Sequence, residues 1–516
     1  MKKTIFVKNA AYLTASSLVL RFAGIVFKIW LAAKIGAEGM GLYQLVFSVY
    51  ILVSSFAQSG IPTAVTRLTA EESALGNKKG IKRIVGASFT MSFIISAITA
   101  IILFFGAEII SKNIISDSRA VMPVRILAVS VFFTGASSVL KGYFIGRRTA
   151  AAPAVSGVIE QFIRIAAIIP AVKLAAGSTT LAVAAVFAGD AASELFCFAY
   201  LYLRYRFNFK RLPEGTNTYI KHPAKKTAKI AFPLCAGRYI GQLLRTAENM
   251  IVPRALSLYS KKGALSLFGM IKGMALPVLF FPSAVLGAVS TLLVPEMSEA
   301  RESHKKLIIR AAIEQILSAA TFVGILFSAI FAATGYQMGF LLYKSADVGF
   351  LLVTLSPIVP LMYIDSLCDG LLRGLDQQNF CFRVSVGDSA IRIVLILLLV
   401  NKFGIKGFIG IMYFSNLLTC ALNVKRLIKI SGAALNIQKT VMVPALSAFS
   451  ATFIIKLLID RMPISNLVYI ILLSAISSLV YVWALYYFDC INFDTLGRMR
   501  THKKYAAATT KTSLTK

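Results

Sequence analysis

Apolar stretches of around 20 residues recur along the whole chain, separated by short polar segments, and each is long enough to span a hydrocarbon layer about 30 Å thick. Fourteen can be drawn: roughly 9–35, 42–66, 84–106, 122–146, 152–174, 180–203, 227–253, 265–295, 308–334, 347–372, 380–401, 406–428, 437–459 and 464–488. A backbone in lipid has to satisfy its own hydrogen bonds, so each stretch is expected to be a helix. The two-residue alternation of a membrane β-barrel is absent. The pattern therefore predicts an all-α polytopic membrane protein.

Composition agrees. Of 516 residues 57% are hydrophobic and 15% charged, with a mean hydropathy of +0.74. Soluble domains carry about 25% charged residues, so a soluble enzyme, a disulfide scaffold and a disordered chain are all excluded. The six cysteines are scattered without a CxxC pair and are expected to be reduced packing residues. HExxH, Walker and GxSxG motifs are absent, and the loops are too short for a nucleotide-binding domain. The first segment, Met1-Lys2-Lys3 followed by an apolar run, resembles a signal peptide. Because the run continues past Arg21 to about Ile35, it is expected to remain as the first helix.

A net charge of +33 suggests nucleic acid until the charges are placed. With the N-terminus inside, the inner segments hold 34 of the 55 Lys and Arg, the outer connections and span ends 11, and the spans 10. This positive-inside bias predicts both termini in the cytoplasm and basic loops against anionic membrane lipids, with no nucleic-acid partner.

The chain also repeats itself. At an offset of 228, Lys141–Arg147 falls on Asp369–Leu375, Glu160 on Asp388, Arg164 on Arg392, and Glu71 on Glu299. One ungapped shift serving distant places implies a duplication of six spans. An even number preserves orientation, so two six-helix lobes should be related by an axis along the membrane normal, with a C-terminal helix pair appended. The expected divisions are an N-lobe at 1–203, a basic linker at 204–226, a C-lobe at 227–430, the helix pair at 431–488 and a basic tail at 489–516.

A central Arg or Lys costs roughly 2.5–3.5 kcal/mol on insertion scales, so such residues should pair or line a polar cavity. Glu160 with Arg164, and Asp388 with Arg392, are four apart and share helix faces; they form either structural ion pairs or a coupling site for a cation or proton. Asp365 and Asp369 form a further pair at that spacing. The first span differs, because Thr14, Ser17, Arg21 and Lys28 make one stripe with no acid in the helix. Its repeat partner carries Arg238, Gln242, Arg245 and Asn249, with Glu248 able to compensate Arg245 in part. Such stripes, joined by Lys272, either line a cationic cavity suited to phosphate or pyrophosphate, or pair with Glu194, Asp365 or Asp369 of other helices. No metal site is assigned.

Several segments carry a family likeness: Gly36–Gln44, Ser59–Arg67 with Ala70-Glu71, Gly273–Pro277 through Phe281-Pro282 to Leu293–Ala300, and Pro357–Asp365 with Asp369–Gln378. Together they resemble the stage V sporulation protein B branch of the MOP flippase superfamily, which also holds lipid II flippases, polysaccharide exporters and MATE drug antiporters. The resemblance implies a 14-helix, two-lobed flippase of the bacterial cytoplasmic membrane. On this resemblance the chain is expected to be a transporter and not an enzyme, moving an undecaprenyl-pyrophosphate-linked saccharide such as lipid II or a related cell-wall or spore-cortex precursor by alternating access. It also implies that Arg21, in an Arg-x-x-Gly pattern ending at Gly24, and Lys272, five before Pro277, match family basic positions. Phe27-Lys28 stands where lipid II flippases often have an Arg-Asp pair, and Arg67 lies later than their second-span arginine. The expected pyrophosphate ligands are Arg21, Lys28, Arg238, Gln242, Arg245 and Lys272. No cofactor is expected beyond a coupling cation or the membrane potential, and the sequence leaves the oligomeric state open, a monomer included. A MATE-type multidrug or cation antiporter, an exporter of another polysaccharide lipid intermediate, and a membrane-embedded glycosyltransferase are the competing readings. An excess of intramembrane bases disfavours the first of these, and the lack of an acidic cluster near an outer loop disfavours the last.

Overall fold

The computed structural model describes residues 2–58, 60–175, 177–211, 221–260, 263–283, 286–287, 297 and 306–490, without the side chains of 2–18, 21, 57, 233, 234, 236 and 308. Among the described residues the chain is helical throughout, with no strand. Ten helical stretches are long and apolar enough to cross a membrane. Two of these, Phe22–Ala74 and Gln378–Ser431, each cover two of the expected spans.

Glycines make the divisions. Helix α1 (Lys2–Gln58) breaks at Gly36, whose φ of 71° and ψ of −179° suit essentially glycine alone. The expected second span, 42–66, does not run through as one helix. It stops at Gln58, and α2 (Ile61–Ala74) starts anew after Gly60, with Pro62 in its first turn where a missing N–H goes unnoticed. Helix α3 (Lys78–Ile109) begins at Asn77, whose side chain accepts from the Gly80 amide at 2.9 Å. Helices α4 (Val121–Gly146), α5 (Ala151–Leu174) and α6 (Thr179–Lys210) pack with α3 into one group.

Helix α7 (Pro223–Tyr259), which carries the expected span 227–253, is not among those ten, and it packs against α1, α2 and α3 on one side. The next apolar stretch is short helix α8 (Ala264–Phe268), a π-helical turn at Gly269–Ala275 and α9 (Leu276–Phe280); the remainder of the expected span lies largely outside the described residues. The second group is α10 (Lys306–Tyr343), α11 (Ala346–Leu355), α12 (Val359–Gly374), α13 (Gln378–Leu395) and α14 (Asn401–Ser431), and α7 also touches α13 and α14. Helices α15 (Val443–Ile459) and α16 (Asn466–Tyr487) pack on each other and on α10.

The largest apolar cluster joins the two groups, from Leu31, Val46 and Phe187 to Ile271, Tyr363 and Phe408. At its centre α1 beyond Gly36 crosses the π turn. A Cβ on Gly269 would lie 1.9 Å from the Ala37 carbonyl and 2.6 Å from the Gly41 nitrogen, so this approach needs glycine. The Gln44 amide donates to the Lys272 carbonyl at 3.4 Å. Gly41 with Gly269 and Gln44 with Lys272 are both separated by 228 residues, the offset seen in the sequence.

Candidate functional site

Two buried ion networks lie in the two helix groups. In the first, Glu160 on α5 spends both oxygens: Oε1 accepts from Arg164 at 2.8 Å and Oε2 from Lys141 of α4 at 3.4 Å. Arg164 also reaches the Gln161 side chain at 3.0 Å and pairs with Asp190 of α6. Glu194, one turn beyond Asp190, is buried, and its Oε2 has no hydrogen-bond partner among the described residues. Carboxylate oxygens of Glu160 and Glu194 and the Cys197 sulfur lie within 4.8 Å of one another. Lys141 and Arg164 already supply the positive charge beside them, so this is an ion-pair cluster and not an empty cation cage.

In the second network the shared acid is Glu248 of α7. Its Oε1 accepts from Arg392 at 2.5 Å and from Lys272 at 3.5 Å, and the charge of Arg245 also reaches it. Asp388 lies 4.0 Å from Arg392 and accepts from the Ser415 hydroxyl at 2.5 Å. Three cations thus share two acids. Burying such a group without its counter-charge is expensive, which explains why Glu248 is only 5% exposed and yet doubly paired.

Two cavities open beside these networks. One of about 370 Å³ is lined by Lys28, Tyr43, Tyr50, Lys141, Glu160, Arg164, Asp190 and Glu194. The other, of about 480 Å³, lies between α1 and the π turn and is lined by Leu20, Gly24, Ile25, Lys28, Lys272, Leu276, Pro277 and Phe280. Lys28 borders both and makes no ion pair among the described residues. The π turn carrying Lys272 widens the helix by one residue, a distortion frequent at functional sites.

The structure sorts the residues singled out from the sequence. Lys28 and Lys272 meet at one cavity, whereas Arg245 is exposed and lines neither cavity. Arg238 is exposed and Gln242 half-buried, and neither lines either cavity. Arg21 is on α1 but its side chain lies outside the described residues, as do Thr14 and Ser17. Asp365 and Asp369 do not serve the basic stripe: Asp365 accepts from Asn423 at 2.8 Å, and Asp369 pairs with Arg373 at 2.9 Å near the helix end. Asp190 and Lys141 were not anticipated as ion partners. Asp190 carries a visible signal, since it stands four residues before Glu194 inside an apolar run. Lys141 had none, because its partner is on another helix. No disulfide joins the six cysteines, five of which are buried.

Comparison with known proteins follows from this geometry. Stage V sporulation protein B of Bacillus subtilis (strain 168) is 27% identical over 422 residues, 79% of this chain and 80% of that protein. The lipid II flippase MurJ of the same organism is 24% identical over 161 residues, 30% of each chain. Among solved structures, the lipid II flippase MurJ in an inward closed conformation superposes with a TM-score of 0.71 at 14% identity, covering 93% of this chain and 99% of that one. An inward-facing multidrug resistance MATE family transporter of the MOP superfamily gives 0.64 at 12% identity, covering 81% and 98%. The fold is thus the polytopic one of the MOP superfamily, the expected resemblance to its stage V sporulation protein B and lipid II flippase members holds, and the chain is a multi-pass membrane protein. Residues 6–301, more than half of the chain, match the family described as polysaccharide biosynthesis protein, and the chain belongs to that family.

Proposed function

We propose that this protein is a flippase that carries an undecaprenyl-pyrophosphate-linked saccharide, lipid II or a related cell-wall or spore-cortex precursor, from the inner to the outer leaflet of the bacterial cytoplasmic membrane. One observation carries the reading: Lys28 and Lys272, from helices far apart in sequence, border a single cavity whose remaining wall is mostly apolar. The two ammonium groups match the two charges of a pyrophosphate diester, and each acts as a compact point charge for phosphate. Leu20, Ile25, Leu276 and Phe280 offer the prenyl chain a lipid-like surface. Arg21, two helical turns before Lys28, would extend the basic stripe, and Arg245 would add positive charge from α7. Arg238 and Gln242 precede Arg245 on α7, outside both cavities, and would meet the saccharide side of the head group. The name of one relative, the lipid II flippase MurJ, supports the same substrate class.

In this reading the lobes are 1–203 and 227–430, both termini are cytoplasmic, and no covalent bond changes. The lobes rock to present the head group to either side, and the membrane potential or a cation gradient biases the step; one charge is worth about 2.3 kcal/mol per 100 mV. The test is native mass spectrometry of the purified protein with lipid II, undecaprenyl phosphate and a neutral lipid. Lipid II is expected to bind preferentially, and Lys28→Ala, Lys272→Ala and Arg21→Ala each to weaken it. Equal retention of the neutral lipid would sink the proposal. A cation antiporter is the second reading, favoured by Asp190 and Glu194 on the wall of the smaller cavity. Binding of a cationic drug that Lys28→Ala strengthens would support it instead.

A further inference from the structure

The first ion network is one positive charge short. Its two cations, Lys141 and Arg164, are committed to Glu160 and Asp190. That leaves Glu194, 5% exposed, with an oxygen that meets no donor. A bare carboxylate at that depth is costly, and the usual escape is to take up a cation. Every charged or titratable neighbour can be named. From α1 there are Lys28 and the two tyrosines Tyr43 and Tyr50; from α4, Lys141; from α5, Glu160 and Arg164; from α6 itself, Asp190 and Cys197. None of the cations among them pairs with Glu194. A metal ion would sit against Lys141 and Arg164, which repel it, whereas a proton needs no coordination shell.

We infer that Glu194 is a proton-binding site, and that an anionic head group entering the cavities bordered by Lys28 drives a proton onto it. This rests on the flippase reading above. The physical link is the shared cavity: Lys28 and Glu194 line the same space, so negative charge drawn to Lys28 comes within range of the Glu194 carboxylate. Like charges in a low-dielectric site cannot both persist, and the carboxylate is the one that can be neutralised. The proton joins a carboxylate oxygen and comes from solvent; no other bond is made or broken. Glu160 and Asp190 already have cationic partners in Lys141 and Arg164, which leaves Glu194 as the carboxylate without one.

The test counts protons. Lipid II suits it, because its pyrophosphate is a diester that does not titrate near neutrality. Binding heats measured calorimetrically in buffers of different ionisation enthalpy give the protons taken up per lipid bound, repeated over a series of pH values. The wild type is expected to show an uptake that rises with pH toward about one proton. Glu194→Gln, isosteric and with no bond to lose at Oε2, is expected to bind lipid II with no uptake. Equal uptake in both proteins would overturn the assignment, as would binding whose wild-type affinity depends on sodium and not on pH. Failure of lipid II to bind either protein would instead overturn the flippase reading, so the two failures are separable.

Discussion

Glu248→Gln removes one buried negative charge and leaves almost the same shape. In the wild type that charge serves Arg392 at 2.5 Å and Lys272 at 3.5 Å, from a side chain only 6% exposed. Removing one partner of a buried pair destabilises by about 3–5 kcal/mol, because the cation stays behind uncompensated. Here two cations are left behind, with Arg245 close by, so the upper part of that range is expected. The distances also predict how the loss divides. Coulomb attraction falls inversely with separation, so Arg392 is held about 1.4 times as strongly as Lys272. In the Glu248→Gln background, Arg392→Met should therefore restore more stability than Lys272→Met. Unfolding of the wild type, the three single variants and the two double variants in one detergent, analysed as two double-mutant cycles, measures this. Recovery by Lys272→Met equal to or greater than recovery by Arg392→Met would refute the assignment of Arg392 as the main partner. A Glu248→Gln protein as stable as the wild type would remove the network altogether.

Other outcomes follow from local geometry. Gly36→Ala places a side chain at φ 71° in open space, so its cost is backbone strain alone, about 1–3 kcal/mol in unfolding measurements. Gly269→Ala meets the Ala37 carbonyl and should cost at least about 1–3 kcal/mol as overpacking, with faster hydrogen exchange in both crossing helices. Arg254→Met cuts the link from α7 to Ser116 and the carbonyls of Asn113 and Ile114, so exchange should quicken at residues 110–116 and stay unchanged in α5. Arg67→Ala breaks a pair whose side chains are 69% and 51% exposed, and stability should move by less than about 1 kcal/mol.

Much of the architecture was readable because lipid imposes one rule on every span: apolar residues outside and a closed backbone ladder inside. The boundary drawn between 35 and 42 falls on the break at Gly36, and that between 401 and 406 falls on the break at Gly404. The division near Gly60 was missed because Ile61 to Val65 are as apolar as the helix before them. The site was less legible. Spacing of four identified Glu160–Arg164 and Asp388–Arg392, since those contacts stay within a helix. It could not show that Asp190, Lys141 and Glu248 complete the networks, because those contacts cross between helices and depend on packing. Asp365 and Asp369 share a spacing but not a partner: the first is engaged by Asn423 from α14, the second by Arg373 at the end of its own helix. The π turn that carries Lys272 leaves no mark in the residue pattern at all.

The pairs Gly41–Gly269 and Gln44–Lys272 have a mechanical meaning. When two equivalent parts of a duplicated chain touch each other at equivalent residues, the contact lies on the axis that exchanges them. Points on an axis of rotation do not travel. In the rocking motion proposed above, this crossing is the fulcrum, and the ends of the helices are the lever arms. A covalent bond between residues 41 and 269 should leave turnover intact, while a bond of the same length placed toward either end of α1 should stop it. In the proposed reading the head-group site would therefore sit beside the least mobile point of the machine, with the substrate carried across the membrane by walls that move around it.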